Sequence, residues 1–139
     1  MPANVVDAAT LSEMIVSAPF HRWLNLRLVA LTEEHVDIAL PWREELIADP
    51  KARYTHGGVL ATMIDLAADY AVAAKLGRGV PTIDMRVDYH KAAMPGEELI
   101  ARGRVIKMGR TIATAEATIR KADGTLIASG RGVYMTATA

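Results

Sequence analysis

The segment spanning residues 56–76 restricts the fold more than any other feature of the sequence. It is a run of strong helix formers with almost no polar face. Gly57-Gly58 lies at its start, and Gly77 follows it at the place where a glycine commonly ends a helix. A helix that is apolar on nearly all sides is stable only when other elements cover most of its circumference. The chain is therefore expected to fold around this helix.

Most of the remaining sequence alternates between apolar and polar residues with a period of two, which predicts β-strands. Turn signals at Pro95-Gly96, Gly109-Arg110 and Ala122-Asp123-Gly124 separate the last four strands. Antiparallel strands with one segregated helix predict an α+β fold, in which a sheet of about six strands curls around the helix. The predicted strands cover residues 26–30, 36–40, 82–90, 99–108, 111–120 and 125–134.

The N-terminal region predicts a short helix over residues 10–24, which Pro19 is expected to break or kink. With 139 residues the chain suits one domain, and we expect residues 1–18 to form a helical extension of that domain. No linker or internal repeat divides the sequence.

Composition excludes several classes of protein. The absence of cysteine excludes a disulfide framework, a thiolate metal site and a cysteine nucleophile. Sixteen basic and sixteen acidic residues give no basic excess of the kind that nucleic-acid-binding domains show. No apolar run reaches the roughly 18–20 residues that span a bilayer, and no basic cluster precedes Arg22 as in a signal peptide. We expect a cytoplasmic protein without a metal, nucleic-acid or membrane partner.

Two carboxylates interrupt the apolar helix. Asp65 and Asp69 are one turn apart, and with Thr62 they share one face. An ionised carboxylate in a dry interior costs several kcal/mol unless it has a partner, a raised pKa or access to water. Two interpretations are open: a structural ion pair with an Arg or Lys from a strand, or a functional pair whose members raise each other's pKa.

The helix begins with His56-Gly57-Gly58. First-turn amides have no partner within a helix and lie at the positive end of its dipole. Glycines allow a substrate carbonyl or a phosphate to approach this backbone closely, although the same residues also suit a tight entry turn. A carbonyl polarised here could face Asp65 on the same helix or on a symmetry mate.

Residues 56–65, with the sequence HGGVLATMID, resemble the signature of hotdog-fold acyl-CoA thioesterases of the phenylacetic-acid-pathway (PaaI-like) branch. The resemblance covers residues 19–134, and it includes residues 83–89, Pro95-Gly96-Glu97, residues 107–111, residues 124–128 and Gly130. It implies an antiparallel sheet wrapped around one long helix. It also implies that two protomers pair their sheets edge to edge, often as dimers of dimers, with shared active sites at the dimer interface.

The resemblance further implies catalytic roles. Asp65 would be a general base on water, or a nucleophile that forms an acyl-enzyme anhydride. The Gly57 amide would polarise the thioester carbonyl, and His56 would orient that loop. Asp69 stands where relatives can carry a water-holding Thr, and Thr82 matches a hydroxyl position near the thioester.

The resemblance also implies a set of residues that bind substrate and coenzyme A. Lys and Arg suit the phosphates of coenzyme A, which is part of the substrate, and no other cofactor is implied. Two positions depart from the family pattern: Pro50 stands where some members carry Asn, and Ala92 where many carry Pro. The implied binding residues are Gly58, Tyr89, Lys91, Lys107, Gly109, Arg110 and Thr111.

These observations lead to the hypothesis of a thioesterase that hydrolyses a small aromatic or short-to-medium-chain acyl-CoA to the free acid and CoA. One alternative is a non-catalytic acyl-CoA-binding protein. Another is a hotdog enoyl-CoA hydratase or dehydratase, which would need a close carboxylate–histidine pair. His56 and Asp65 lie more than two helical turns apart, which disfavours that pair within one chain. The acyl group, the role of Asp65 in the chemistry and the choice between dimer and tetramer stay open.

Overall fold

The computed structural model describes residues 1–138 and contains three α-helices and six strands in that range. The helices are α1 (Ala8–Ser17), α2 (Pro19–Trp23) and α3 (Gly57–Leu76), and a 3₁₀ turn covers Glu44–Leu46. The strands are β1 (Arg27–Leu31), β2 (Val36–Leu40), β3 (Thr82–Tyr89), β4 (Leu99–Met108), β5 (Ile112–Lys121) and β6 (Leu126–Met135).

All six strands form one antiparallel sheet in the order β1-β2-β4-β5-β6-β3, and α3 packs against its inner face. The predicted α+β fold, with a curled sheet around one long helix, is confirmed. Pro19 divides the predicted N-terminal helix into α1 and α2. Leu11 and Ile15 of α1 are fully buried, so this extension contributes to the same core.

Helix α3 has a distinct cap at each end. His56 is the N-cap, and its Nδ1 accepts a hydrogen bond from the Gly58 amide at 2.8 Å. Gly77 is the C-cap with φ +75°, a left-handed conformation that glycine adopts without steric cost. The two caps account for the helix bounds that the sequence predicts.

Small residues allow α3 to lie directly on the sheet. A Cβ added to Gly103 on β4 would overlap the carbonyl oxygen of Ala67, and one added to Gly130 on β6 would lie 2.6 Å from Cγ2 of Ile64. Inward-facing Ala115 on the intervening strand β5 is also fully buried. Close packing of this kind leaves no room for larger side chains at these positions.

Strand β3 departs from strict alternation at its start. In a regular strand Thr82 would share a face with Asp84, and Ile83 would share the other face with Met85. In the structure the register shifts between Thr82 and Asp84, so that β3 carries one extra residue against β6. This bulge turns the Thr82 hydroxyl inward to α3, and it leaves Ile83 50% exposed.

Candidate active site

Asp65 accepts two hydrogen bonds on the same carboxylate oxygen. The Thr82 hydroxyl from β3 donates to Oδ1 at 2.9 Å, and the Tyr134 hydroxyl from β6 lies 3.1 Å from the same atom. Within residues 1–138 the other oxygen, Oδ2, accepts no hydrogen bond. The Asp65 carboxylate is therefore fixed through Oδ1, whereas Oδ2 is open to a ligand.

Asp69 lies one turn further along α3, and its Oδ1 is buried without a hydrogen-bond partner among the described residues. Burial, together with the negative charge of Asp65, raises the pKa of Asp69 to about 7, while the Val80 amide acts in the opposite direction. No salt bridge within residues 1–138 includes Asp65 or Asp69. The interpretation as a structural ion pair is therefore wrong for the described part of the chain.

The start of α3 presents a free amide. The Gly58 N–H donates to His56, whereas the Gly57 N–H has no acceptor among residues 1–138. The Tyr89 hydroxyl donates to the Gly57 carbonyl at 2.9 Å and holds this turn from the side of β3. The Gly58 amide is thus occupied by its hydrogen bond to His56, although a ligand can still approach the backbone there closely. Gly57 carries the amide that is open to a ligand.

A cavity of about 360 Å³ adjoins this amide. Tyr54, Leu60 and Tyr89 give it apolar walls, and Lys91 supplies a cation. A larger groove of about 570 Å³ lies on the outer face of β3, β5 and β6 and contains none of the predicted site residues. The smaller cavity is the candidate ligand site, because its walls include the helix N-terminus.

The predicted site residues separate into two groups within one chain. Gly57 and Asp65 are eight residues apart on α3, which corresponds to about 12 Å along the helix axis. Tyr89 and Thr82 lie at opposite ends of β3. We call the first group the amide half-site (His56, Gly57, Tyr89, Lys91). The second is the carboxylate half-site (Asp65, Asp69, Thr82), to which the structure adds Tyr134.

The predicted coenzyme A residues of the β4–β5 turn lie at the end of the sheet where the carboxylate half-site is. Thr136, which follows β6, donates from its hydroxyl to the Gly109 carbonyl and from its amide to the Thr111 carbonyl. Arg110 in the same turn and Lys107 near the end of β4 are exposed. The structure therefore groups these residues with Asp65 and separates them from Lys91.

Sequence reasoning missed Tyr134. Its side chain is fully buried, and its hydroxyl also lies 3.1 Å from the Asp65 backbone carbonyl. A Cβ at Gly132 would overlap the Tyr134 hydroxyl, so the ring occupies the space that this glycine leaves. The pattern Gly-x-Tyr on the inward face of the last strand, among small core residues, is the sequence feature that could have identified it.

Within residues 1–138, no group of three or more His, Asp or Glu side chains is arranged to hold a metal ion. No helix in that range is long and apolar enough to cross a membrane.

The curled sheet, the long helix and the helix-borne carboxylate define a hotdog-fold protein. Comparison with known proteins identifies the family: residues 53–128 match the thioesterase superfamily. A solved structure of a protein from the thioesterase superfamily is 48% identical, with a TM-score of 0.89, over 92% of this chain and 96% of that one. The chain belongs to the thioesterase superfamily, and the family prediction is confirmed.

Two curated relatives extend the comparison. Mouse acyl-coenzyme A thioesterase 13 is 37% identical over 79 residues, which are 55% of this chain and 56% of the mouse protein. A putative esterase of Halobacterium salinarum is 30% identical over 123 residues, which are 81% of this chain and 80% of that protein. The match thus spans little more than half the length of the mouse protein.

Proposed function

We propose that this protein is an acyl-CoA thioesterase that hydrolyses small aromatic or short-to-medium-chain acyl-CoA to the free acid and CoA. The observation that carries the proposal is the Asp65 carboxylate, which is fixed through Oδ1 and open at Oδ2 in a member of the thioesterase superfamily. The name of the mouse relative supports acyl-CoA as the substrate class. The apolar cavity beside Gly57 supports an acyl or pantetheine ligand.

The proposed chemistry needs one donor and one carboxylate. The Gly57 amide donates to the thioester oxygen and stabilises the negative charge that develops there. Asp65 Oδ2 takes a proton from water as the water oxygen attacks the carbonyl carbon. The C–S bond then breaks, and CoA leaves as a thiolate that is protonated. Direct attack by Asp65 would form an anhydride that water hydrolyses to the same products.

The separation of the two half-sites supports a shared active site in a homodimer. Within residues 1–138, β3 pairs with β6 on one side only, so its other edge is open along the length of the strand. Antiparallel pairing of two β3 strands about a two-fold axis places the Tyr89 end of one beside the Thr82 end of the other. The Gly57 amide of one protomer then faces Asp65 of its partner.

The same pairing supports a role for the basic residues in binding coenzyme A. Lys91 of one protomer and the Lys107–Arg110 turn of its partner would lie at the rim of one shared site, where cations suit phosphates. A dimer of dimers and a cytoplasmic location complete the proposal.

A thiol-trapping assay over a panel of acyl-CoAs, with the wild type beside Asp65→Asn, tests the proposed function. Asn keeps the shape of the side chain but cannot accept the proton, so we expect kcat to fall about 10²- to 10⁴-fold. The best substrate of the wild type would give the acyl preference. A folded wild-type protein that binds acyl-CoA but releases no thiol from any substrate would contradict hydrolysis and favour the binding-protein alternative.

A further inference from the structure

The Tyr134 hydroxyl contacts one residue, Asp65, on helix α3. The hydroxyl has two neighbours within hydrogen-bond distance, the Oδ1 and the backbone oxygen of Asp65, each at 3.1 Å. The single phenolic proton favours the charged acceptor, because hydrogen bonds to an ionised carboxylate are about twice as strong as those between neutral groups. The side chain is fully buried, so water does not compete for this proton.

We propose that Tyr134 is a positioning residue that, with Thr82, fixes the rotamer of Asp65 and directs its free Oδ2 at the reacting water or thioester. The proposal rests on the proposed thioesterase function and adds a residue to it. Two donors on one oxygen leave the other oxygen as the only part of the carboxylate that is open to chemistry. A loose carboxylate would lose the alignment that makes it effective.

The donor stays protonated across the working pH range. Burial and the negative charge of Asp65 raise the pKa of Tyr134, so the hydroxyl donates at any pH at which the enzyme would be assayed. On α3 the titratable neighbour of Asp65 is Asp69, and β3 contributes the neutral Thr82 hydroxyl. The inward residues that β4 and β5 pack near the helix are apolar or glycine, such as Gly103 and Ala117.

A glycine on strand β6 makes room for the Tyr134 ring. Gly132 lies two residues before Tyr134 on the same face of β6, and a side chain there would overlap the phenol. Met85, the partner of Gly132 on β3, is half-buried. Gly132 therefore leaves the space through which the Tyr134 side chain extends its hydroxyl from the sheet to Asp65 on α3.

Tyr134→Phe tests the role because it removes the hydroxyl and retains the ring. We expect kcat to fall about 10- to 100-fold with little change in KM. Phe retains the ring that packs beside α3, so substrate binding should be kept and the loss should fall on kcat. In an Asp65→Asn background we expect Tyr134→Phe to cost little further activity, because no carboxylate is left to position.

Tyr70→Phe is the matched control. Tyr70 is also buried, and its hydroxyl donates to the Met14 carbonyl at 3.3 Å rather than to a residue of either half-site. It reports the cost of losing a buried tyrosine hydroxyl, and we expect its kcat to stay close to that of the wild type.

Site-specific 3-fluorotyrosine at position 134 provides a second variant, because it retains both the ring and the hydroxyl. The fluorinated phenol is a stronger hydrogen-bond donor, so we expect kcat to be retained, unlike the loss in Tyr134→Phe. An equal loss in both variants would point to packing of the ring and not to the hydroxyl.

The outcomes separate this inference from the proposed function. An active wild type whose kcat is unchanged in Tyr134→Phe would overturn the positioning role and leave thioesterase activity standing. A wild type without activity on any acyl-CoA would overturn both.

Discussion

Asp69 shows how one buried side chain links stability to pH. Its pKa of about 7 stands well above the ordinary value of 3.8, because the group is buried beside Asp65. Between about pH 4 and pH 7 the folded protein therefore holds a proton that the unfolded chain has lost. The free energy of unfolding must fall as the pH rises through this window, since the folded state binds more protons there.

Asp69→Asn removes this dependence. We expect the stability of the variant relative to the wild type to be greater at pH 8 than at pH 5, by about 2–4 kcal/mol. Urea unfolding at both pH values and one fixed protein concentration measures the difference. Thr62→Val changes a neutral residue on the same helix face, so its effect is expected to be equal at the two pH values. An equal effect of Asp69→Asn at both would contradict the raised pKa.

Gly57 offers a way to remove one amide proton. It is the first residue of α3, a position that tolerates proline, and His56 has φ −57° and ψ 131°, which suits a residue before proline. We expect Gly57→Pro to lower kcat about 10²- to 10³-fold, the usual effect of losing an oxyanion donor.

Gly57→Ala is the control for that substitution in the same thiol-release assay. It retains the N–H, and its added Cβ would lie 3.5 Å from the Tyr89 ring, an ordinary contact. We expect it to keep most of the activity. Equal losses of kcat in Gly57→Pro and Gly57→Ala would show that activity requires the absence of a side chain at position 57 and not its amide proton.

The contact between α3 and the sheet depends on glycine at two strand positions. At Gly103 a methyl group would meet the rigid backbone of Ala67 rather than a flexible side-chain end. The helix would have to move away from β4, and the tight packing of neighbouring alanines would be lost with it.

Gly103→Ala is therefore expected to lower the free energy of unfolding by about 3 kcal/mol or more. Gly79→Ala is the matched control, because no atom lies within 4 Å of its added Cβ. Urea unfolding of the two variants beside the wild type gives the comparison. Equal urea midpoints of unfolding for Gly103→Ala and the wild type would contradict close packing of α3 against Gly103.

The open edge of β3 and the separation of the two half-sites both support the proposed homodimer. Each chain carries an amide and a carboxylate about 12 Å apart along one helix. In the proposed dimer, a second copy related by a two-fold axis brings the amide of one chain and the carboxylate of the other to one substrate.

Complementation between two inactive variants tests this arrangement. In a mixed dimer of Gly57→Pro and Asp65→Asn, one site carries both substitutions and the other carries none. We expect an equal, co-refolded mixture to recover about a quarter of wild-type activity, because half of the dimers are mixed and each has one intact site. Light scattering and mass spectrometry would establish that mixed dimers form. Mixed dimers without activity would place the whole site within one chain.

The local patterns in the sequence were sufficient to predict the fold class and those site residues that lie on helix α3 or at its start. The apolar helix, its glycine ends and the alternating strands predicted α3 and all six strands, because helix and strand periodicities are properties of neighbouring residues. The His56-Gly57-Gly58 entry and Asp65 were also visible in the sequence, since they stand on one continuous element.

Contacts between distant residues required the structure. The bulge that turns Thr82 inward breaks the regular alternation that the sequence predicts for strand β3. Tyr134 meets Asp65 across 69 positions in the chain, at a place that Gly132 opens. The separation into two half-sites follows from the length of α3 and the direction of β3. These features depend on how elements pack against one another, and periodicity within a single element carries no information about that packing.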